Sequence, residues 1–282
     1  MSRIVYVNGE FVPEEDARIS VFDRGFLFAD GVYEVSSVID GKLIDNAAHI
    51  ARLQRSLDEL SMAPPCSMEE IEAIQKEMLA RNNLEEGMLY LQVSRGAADR
   101  DFNFPAQSTS SLVMFTQAKN LATNPVATRG LSVVSVPDLR WGRRDIKTVQ
   151  LLYPSLAKEE AKAKGADDAW LVEDGTVTEG TSNNAWIVTK DGTIITRQLS
   201  HDILHGITRR SVMRLAAERQ IKIEERPFTI EEAQNAREAF VTSASAFVMR
   251  VVEIDGVKLS DGKPGELTRR LRSIYLDEAK SL

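Results

Sequence analysis

Asn-Gly and Asp-Gly dipeptides at Asn8-Gly9, Asp40-Gly41, Asp174-Gly175 and Asp191-Gly192 punctuate this 282-residue chain, each beside strand-like runs. Such pairs tolerate the left-handed backbone of tight hairpin turns, so they predict antiparallel pairing in both halves of the chain. In the first half, residues 4–7 and 11–12 flank one turn, and 33–39 and 42–44 flank the next. Ile50, Leu53, Leu57 and Leu60 then recur at helical spacing and predict a helix over 48–60, with Ile71, Ile74 and Met78 marking a second. Arg52 lies off the first stripe, where a helix arginine ordinarily faces solvent. Strand-like runs follow at 88–95 and 111–117. The loop joining them, Gly96 to Pro105 and beyond, is long and rich in charge and aromatics, as binding loops and mobile surface decoration both are.

Composition narrows the class. With 43% hydrophobic and 27% charged residues the chain reads as an ordinary globular protein with a sizeable core. Its net charge of −7 opposes the basic surface that nucleic acid or an anionic membrane requires. A lone cysteine, Cys66, excludes an internal disulfide and fits a reducing, cytoplasmic setting. No apolar run approaches the roughly 18 residues of a membrane span, and the start of the chain reads as a strand rather than a signal peptide. His49, His201 and His205 lack metal-ligand spacing, so no metal is expected. Around 119–129 the composition shifts to Ala, Asn, Pro, Thr and Gly, which predicts a linker and two domains, 1–121 and 122–282.

The second half carries the chemistry. A strand over 131–136 leads to Arg143-Arg144-Asp145-Ile146-Lys147-Thr148, followed by Leu151 and Leu152. An amine turned partly out of water beside other cations is less committed to its ammonium form and can attack a carbonyl to form a Schiff base; the same stretch also reads as a solvated basic patch. A helix over 154–164 has Pro in its first turn and Gly165 after its end. Strands at 169–172, 185–188 and 193–196 read as an antiparallel meander. Glu179 stands where a strand gives way to Thr181-Ser182-Asn183-Asn184. Gly206-Ile207-Thr208 opens another helix, whose N-terminal amides suit an anion and whose Thr208 equally suits a helix cap. Phe240 to Ser243 ends a further strand, and an amphipathic helix starting near Gly265 closes the chain as packing.

Eight motifs occur in order: Asp23-Arg24-Gly25, Asp30-Gly31-Val32-Tyr33-Glu34, His49-Ile50-Ala51-Arg52-Leu53, Asp145-Ile146-Lys147, Thr176-Val177-Thr178-Glu179-Gly180, Gly206-Ile207-Thr208-Arg209, Phe240-Val241-Thr242-Ser243 and Gly265-Glu266-Leu267-Thr268. Over essentially the whole chain they resemble the fold-type IV pyridoxal-phosphate enzymes, and within these the D-amino-acid transaminases. The resemblance implies an α+β or α/β architecture, with a small N-terminal α/β domain, a larger C-terminal pseudo-barrel domain, the cofactor in the cleft between them, and a homodimer. It implies transamination between a D-amino acid, such as D-alanine or D-glutamate, and a 2-oxo acid. Branched-chain L-amino-acid transamination, (R)-amine transamination and aminodeoxychorismate lysis are the other reactions this scaffold carries, and a catalytically silent binding protein is a reading that the intact Lys147 and Glu179 oppose.

The same resemblance assigns roles. Lys147 holds the cofactor and moves the substrate proton, and Glu179 pairs with the ring nitrogen. Arg52, Ile207, Thr208 and Thr242 meet the phosphate, with Ser182 and Leu204 around the cofactor. Tyr33 lines the substrate face, although a tyrosine there is equally a core residue. Arg100 matches a loop that reaches the other subunit's site and holds the substrate carboxylate. The usual pattern places a histidine two residues later, where this chain has Phe102, which cannot donate a hydrogen bond. Pairing of Arg100 with Asp99 or Asp101 is the local alternative.

Overall fold

The computed structural model describes residues 2–259 and 265–281 and divides into two compact units. One runs to Leu121 and takes in Ile146–Gln150; the other holds Ala122–Asp145 and everything from Leu151 onward. The expected division places all of 122–282 in one domain, whereas the 146–150 segment belongs to the first unit. The cause is local pairing. Tyr33 donates its amide to Lys147 O (3.0 Å), Val149 donates to Gly31 O (3.1 Å), and the Ile146 side chain sinks into the first core.

The first unit holds β1 (Ile4–Val7), β2 (Glu10–Pro13), α1 (Arg24–Phe28), β3 (Gly31–Ile39), β4 (Lys42–Leu43), α2 (Asn46–Glu59), α3 (Met68–Asn82), β5 (Gly87–Ser94) and β6 (Ser111–Ala118). Its sheet runs β2-β1-β6-β5-β3-β4, every neighbour antiparallel. The hairpin dipeptides behave as their chemistry requires: Asn8 and Asp40 adopt φ of 47° and 50°, and each is followed by a glycine with positive φ. Helices α2 and α3 cover one face and bury Leu53, Leu57, Ile71 and Met78 against Leu89, Leu91 and Met114. Removing one such side chain costs about 2–5 kcal/mol. Ser67 and Glu70 form a reciprocal capping box that starts α3.

The second unit holds α4 (Pro125–Arg129), β7 (Leu131–Pro137), α5 (Leu152–Ala163), β8 (Asp168–Glu173), β9 (Thr176–Gly180), β10 (Asn184–Val188), β11 (Ile194–Thr196), α6 (Ile207–Glu218), β12 (Ile223–Glu225), α7 (Ile230–Gln234), β13 (Glu238–Ser243), β14 (Phe247–Ile254), β15 (Val257–Lys258) and α8 (Glu266–Ser281). The expected linker region thus contains the short helix α4, capped by the Asn124 side chain. The strand order is β12-β11-β10-β13-β14-β7-β8-β9, with β15 beside β14. This overturns the meander. Strand β8 lies parallel to β7 and antiparallel to β9, while β10 pairs with β11 and β13. Short-range turn signals report which strands are joined, not where a later strand inserts, and β13 inserts from about 50 residues downstream. The sheet curls, because β9 at its end returns to β10: Asn184 Nδ2 donates to Glu179 Oε2 (3.0 Å), and the Gly180 amide donates to Asn183 O (2.8 Å). Trp170, Trp186, Phe228 and Phe240 fill the interior. The Gly265-to-Thr268 motif proves structural: the amides of Leu267 and Thr268 and the Thr268 hydroxyl all donate to buried Glu238, which caps α8.

Candidate active site

In the first unit, Lys147 is half-buried and its Nζ stands 4.0 Å from the centroid of the Tyr33 ring. Tyr33 is itself half-buried and continues as a stack, Tyr33 on Tyr90 (5.6 Å) and Tyr90 on Phe115 (4.7 Å), running across β3, β5 and β6. Lysine and tyrosine are therefore brought together, on the edge of a rigid aromatic row rather than in a closed core. The neighbouring arginines do not act as unbalanced cations. Arg143 pairs with Asp145, and Arg144 makes two 2.7 Å hydrogen bonds to Glu173 and lies 3.4 Å from Asp138. The expectation that they press on Lys147 as free charge is corrected by those carboxylates.

Arg52 is buried, not a surface arginine. Its Nε and Nη2 donate to the two carboxylate oxygens of Glu34, both at 2.7 Å, and His49 Nδ1 is 2.7 Å from Glu34 Oε2. Burial works against the charge on Glu34, yet Arg52 and then His49 hold its carboxyl down at about 2. The motif residues Glu34, His49 and Arg52 thus form one buried hydrogen-bonded unit around the Glu34–Arg52 ion pair, which the sequence stripe could not reveal because Glu34 lies on β3 and not on the helix.

The 96–110 loop is anchored at its ends and middle. Arg24 donates its amide to Gly96 O, and its Nη1 to Asp101 O at 2.7 Å. Arg100 stands outward and forms no ion pair among the described residues, so the local pairing with Asp99 or Asp101 is not seen. Its guanidinium instead lies 5.4 Å from the Phe28 ring and 5.7 Å from Phe102. Phe102 is 80% exposed and packs edge-on against Phe28.

In the second unit the centre is Glu179, 2% exposed near the end of β9. Arg140 Nη1 donates to Oε1 at 2.6 Å, Asn184 Nδ2 to Oε2 at 3.0 Å, and the Leu204 amide to both oxygens at 3.1 and 3.2 Å. Burial pushes the Glu179 carboxyl up, and Arg140 and the Leu204 amide pull against it. Arg140 is in turn held by Asp138, whose own carboxyl faces the same cost of burial but is drawn below its ordinary value by Arg140, Thr178 and Arg144. Arg140, Asp138 and Asn184 were not singled out by sequence. Asp138 and Arg140 follow β7 as unremarkable loop charges, and nothing in spacing links them to position 179. The polar loop after Glu179 is partly structural, since Thr181 and Asn183 both donate to Asp168; Ser182 is exposed.

Gly206, not Thr208, caps α6, and it supplies no side-chain hydrogen bond to the first-turn amides. Ile207 and Thr208 are buried in that turn. A Cβ on Gly206 would meet Asn184 Oδ1 at 2.0 Å, so only glycine lets the helix start this close to the amide that holds Glu179. Thr242, 2% exposed, accepts a hydrogen bond from Trp186 Nε1 (2.9 Å), which leaves its hydroxyl proton to donate. Open helix amides and a donating hydroxyl suit a phosphate, and a clamped buried carboxylate suits a protonated ring nitrogen.

Residues 31–254 match the family model described as amino-transferase class IV, and the chain belongs to that family. It is an enzyme of the aminotransferase class with the fold-type IV architecture. Among its relatives, a D-alanine aminotransferase of Staphylococcus epidermidis is 39% identical over 269 residues, 95% of each chain. A D-alanine aminotransferase of Bacillus licheniformis is 37% identical over 283 residues, 99% of each. Among solved structures, a T.th. branched-chain amino acid aminotransferase with pyridoxamine 5'-phosphate superposes with a TM-score of 0.91 at 26% identity, covering 100% of this chain and 95% of that one.

Proposed function

We propose that this enzyme transfers an amino group between a D-amino acid, such as D-alanine or D-glutamate, and a 2-oxo acid, with pyridoxal 5'-phosphate as cofactor, as a cytoplasmic homodimer. The observation that carries the reading is the near full-length relationship to D-alanine aminotransferases together with a Glu179 clamped by three donors. When bound, the cofactor supplies an electron sink for the pair left at the substrate Cα. The chain's own residues do the rest. Arg52, the first-turn amides of Ile207 and Thr208, and the Thr242 hydroxyl hold the phosphate, with Ser182 and Leu204 lining the cofactor. Glu179 keeps the ring-nitrogen proton in place because Arg140 sustains its negative charge out of water. The Lys147 amine takes the proton from the substrate Cα and returns it. Tyr33 bounds the substrate face, and Arg100 receives the α-carboxylate through paired charge-assisted hydrogen bonds.

The assembly is supported by Val21, Phe22 and Phe26, which are 67%, 53% and 69% exposed and are large apolar groups for a free surface. The single cysteine supports the compartment.

Phe102 in place of a hydrogen-bond donor favours one further feature: a raised KM for D-amino acids and tolerance of (R)-amines, which lack the carboxylate. The test is a spectral half-reaction panel of D-alanine, D-glutamate, L-leucine and (R)-1-phenylethylamine on the wild type and Arg100→Ala. D-alanine reacts fastest with the wild type and loses that advantage in Arg100→Ala. Fastest reaction with L-leucine would overturn the D-amino-acid reading, and unchanged D-alanine kinetics in the variant would overturn the role of Arg100.

A further inference from the structure

Two buried guanidinium groups converge on a single carboxylate oxygen in the first unit. Arg24 Nε and Arg95 Nε each donate to Asp30 Oδ2 at 2.8 Å, and Arg24 and Arg95 are only 3% and 6% exposed. Neither arginine is used up by that pairing. Arg95 also donates to the carbonyls of Leu60 (2.9 Å) and Ser61 (3.1 Å) at the end of α2, and its guanidinium lies 3.7 Å from the ring centroid of Phe104. Arg24 Nη1 donates to the carbonyls of Asp101 (2.7 Å) and, more weakly, Asn103 (3.4 Å), and its guanidinium lies 4.5 Å from the Phe28 ring. The loop residues held are those on the C-terminal side of Arg100. Asp101 further closes the turn by accepting from the Asn103 amide at 2.9 Å. Phe28, which Arg24 stacks on, also receives Phe102 edge-on and stands under the Arg100 guanidinium.

We propose that Arg24, oriented by Asp30 and Arg95, is a positioning residue that sets where the loop presents Arg100, and so a determinant of carboxylate recognition. The physical case is one of rigidity. An exposed arginine on an untethered loop loses much of its binding free energy to ordering itself and its backbone. Here the backbone one and three residues after Arg100 is hydrogen-bonded to a buried guanidinium that is itself paired with Asp30, and charged hydrogen bonds of this kind are among the stronger ones. With Phe102 unable to donate to the substrate, a fixed Arg100 is what remains for reading the carboxylate from this loop. The inference rests on the proposed role of Arg100 and adds to it a mechanism of placement.

The test compares holoenzymes carrying Arg24→Met and Arg24→Lys, each with and without Arg100→Ala, by amide hydrogen exchange and by steady-state kinetics with D-alanine. Arg24→Met leaves Asp30 paired with Arg95. Arg24→Lys keeps the charge but not the fork that reaches both Asp30 and the loop. Losing a charged hydrogen bond should speed exchange across 101–104 by about tenfold or more while β3 and β5 exchange as in the wild type. KM for D-alanine should rise about tenfold with kcat within about twofold, the signature of lost positioning rather than lost chemistry. Added to Arg100→Ala, neither substitution should raise KM further. Should Arg24→Met fail to fold, Arg24→Lys decides the question on the same readouts. Wild-type exchange in the loop, or a KM increase that persists undiminished in the Arg100→Ala background, overturns the proposal. So does exchange that accelerates equally throughout the first unit, which would make Arg24 a core ion and no more. Unchanged KM in Arg100→Ala alone overturns the role of Arg100 instead, and leaves loop exchange to report on the tether separately.

Discussion

Arg140 Nη1 lies 2.6 Å from Glu179 Oε1, and both side chains are almost wholly removed from water. A carboxylate so placed keeps its charge only while its partner stays, because each buried ion is costly alone and tolerable paired. Asp138, fully buried on the far side of Arg140, locks the guanidinium through Nε and Nη2 so that Nη1 is left for Glu179.

Arg140→Met should therefore destabilise the enzyme by about 3–5 kcal/mol near neutral pH, as expected when one member of a buried pair is removed. Glu179 in the wild type is already raised by burial, and without Arg140 it rises further. A carboxyl raised in the folded state contributes stability below its unfolded value and loses it as pH climbs through the folded value. The deficit of the variant should thus shrink as the pH is lowered from 8 to 5. Chemical unfolding at the two pH values measures it; equal deficits would show that Arg140 does not sustain the Glu179 charge.

Lys147 should be the one lysine that bears the cofactor. Borohydride reduction of the loaded enzyme, followed by peptide mapping, should recover the pyridoxyl group on Lys147. Lys147→Ala should lose both the visible absorbance and turnover. Recovery on any other lysine would remove Lys147 from this role, despite its place 4.0 Å over Tyr33.

Glu34 makes acid stability testable. Its carboxyl is lowered from 4.5 to about 2, against the cost of burial, by Arg52 and His49. A lowered carboxyl stabilises fully above its unfolded value and loses that contribution as pH falls toward the folded one. The window is pH 4.5 down to about 2, and the contribution at stake is on the order of 3 kcal/mol. Glu34→Gln should be less stable at pH 7 and should show a flatter stability profile through this window. A wild-type slope in Glu34→Gln would mean that other carboxylates carry acid unfolding.

Gly206→Ala should weaken cofactor binding without unfolding the enzyme. Its φ of −62° is open to any residue, so the penalty is steric: the new methyl meets Asn184 Oδ1 at 2.0 Å. Relief requires Asn184 or the helix N-terminus to shift, and both lie in the proposed cofactor site. Pyridoxal-phosphate affinity, read by fluorescence quenching, should fall about tenfold, in line with the loss of one or two charge-assisted contacts. Unchanged affinity would argue that the phosphate does not sit at α6.

Hairpins, helix stripes and turn chemistry are local, and the sequence by itself determined them: β1 spans Ile4–Val7 as the apolar run and Asn8-Gly9 demand, and α2 buries Ile50, Leu53 and Leu57 as their spacing requires. Motif order was equally legible and pointed to the family that the comparisons confirm. Only the tertiary structure decided what lay far apart in the chain. It inserted β13 between β10 and β14, drew the 146–150 segment onto β3, turned Arg52 inward to Glu34, and set Arg140 and Asn184 on Glu179. The physical reason is that periodicity records which face of an element is apolar, whereas a buried charge is stable only beside its particular partner. That partner is chosen by strand insertion and register, which no window of neighbouring residues encodes.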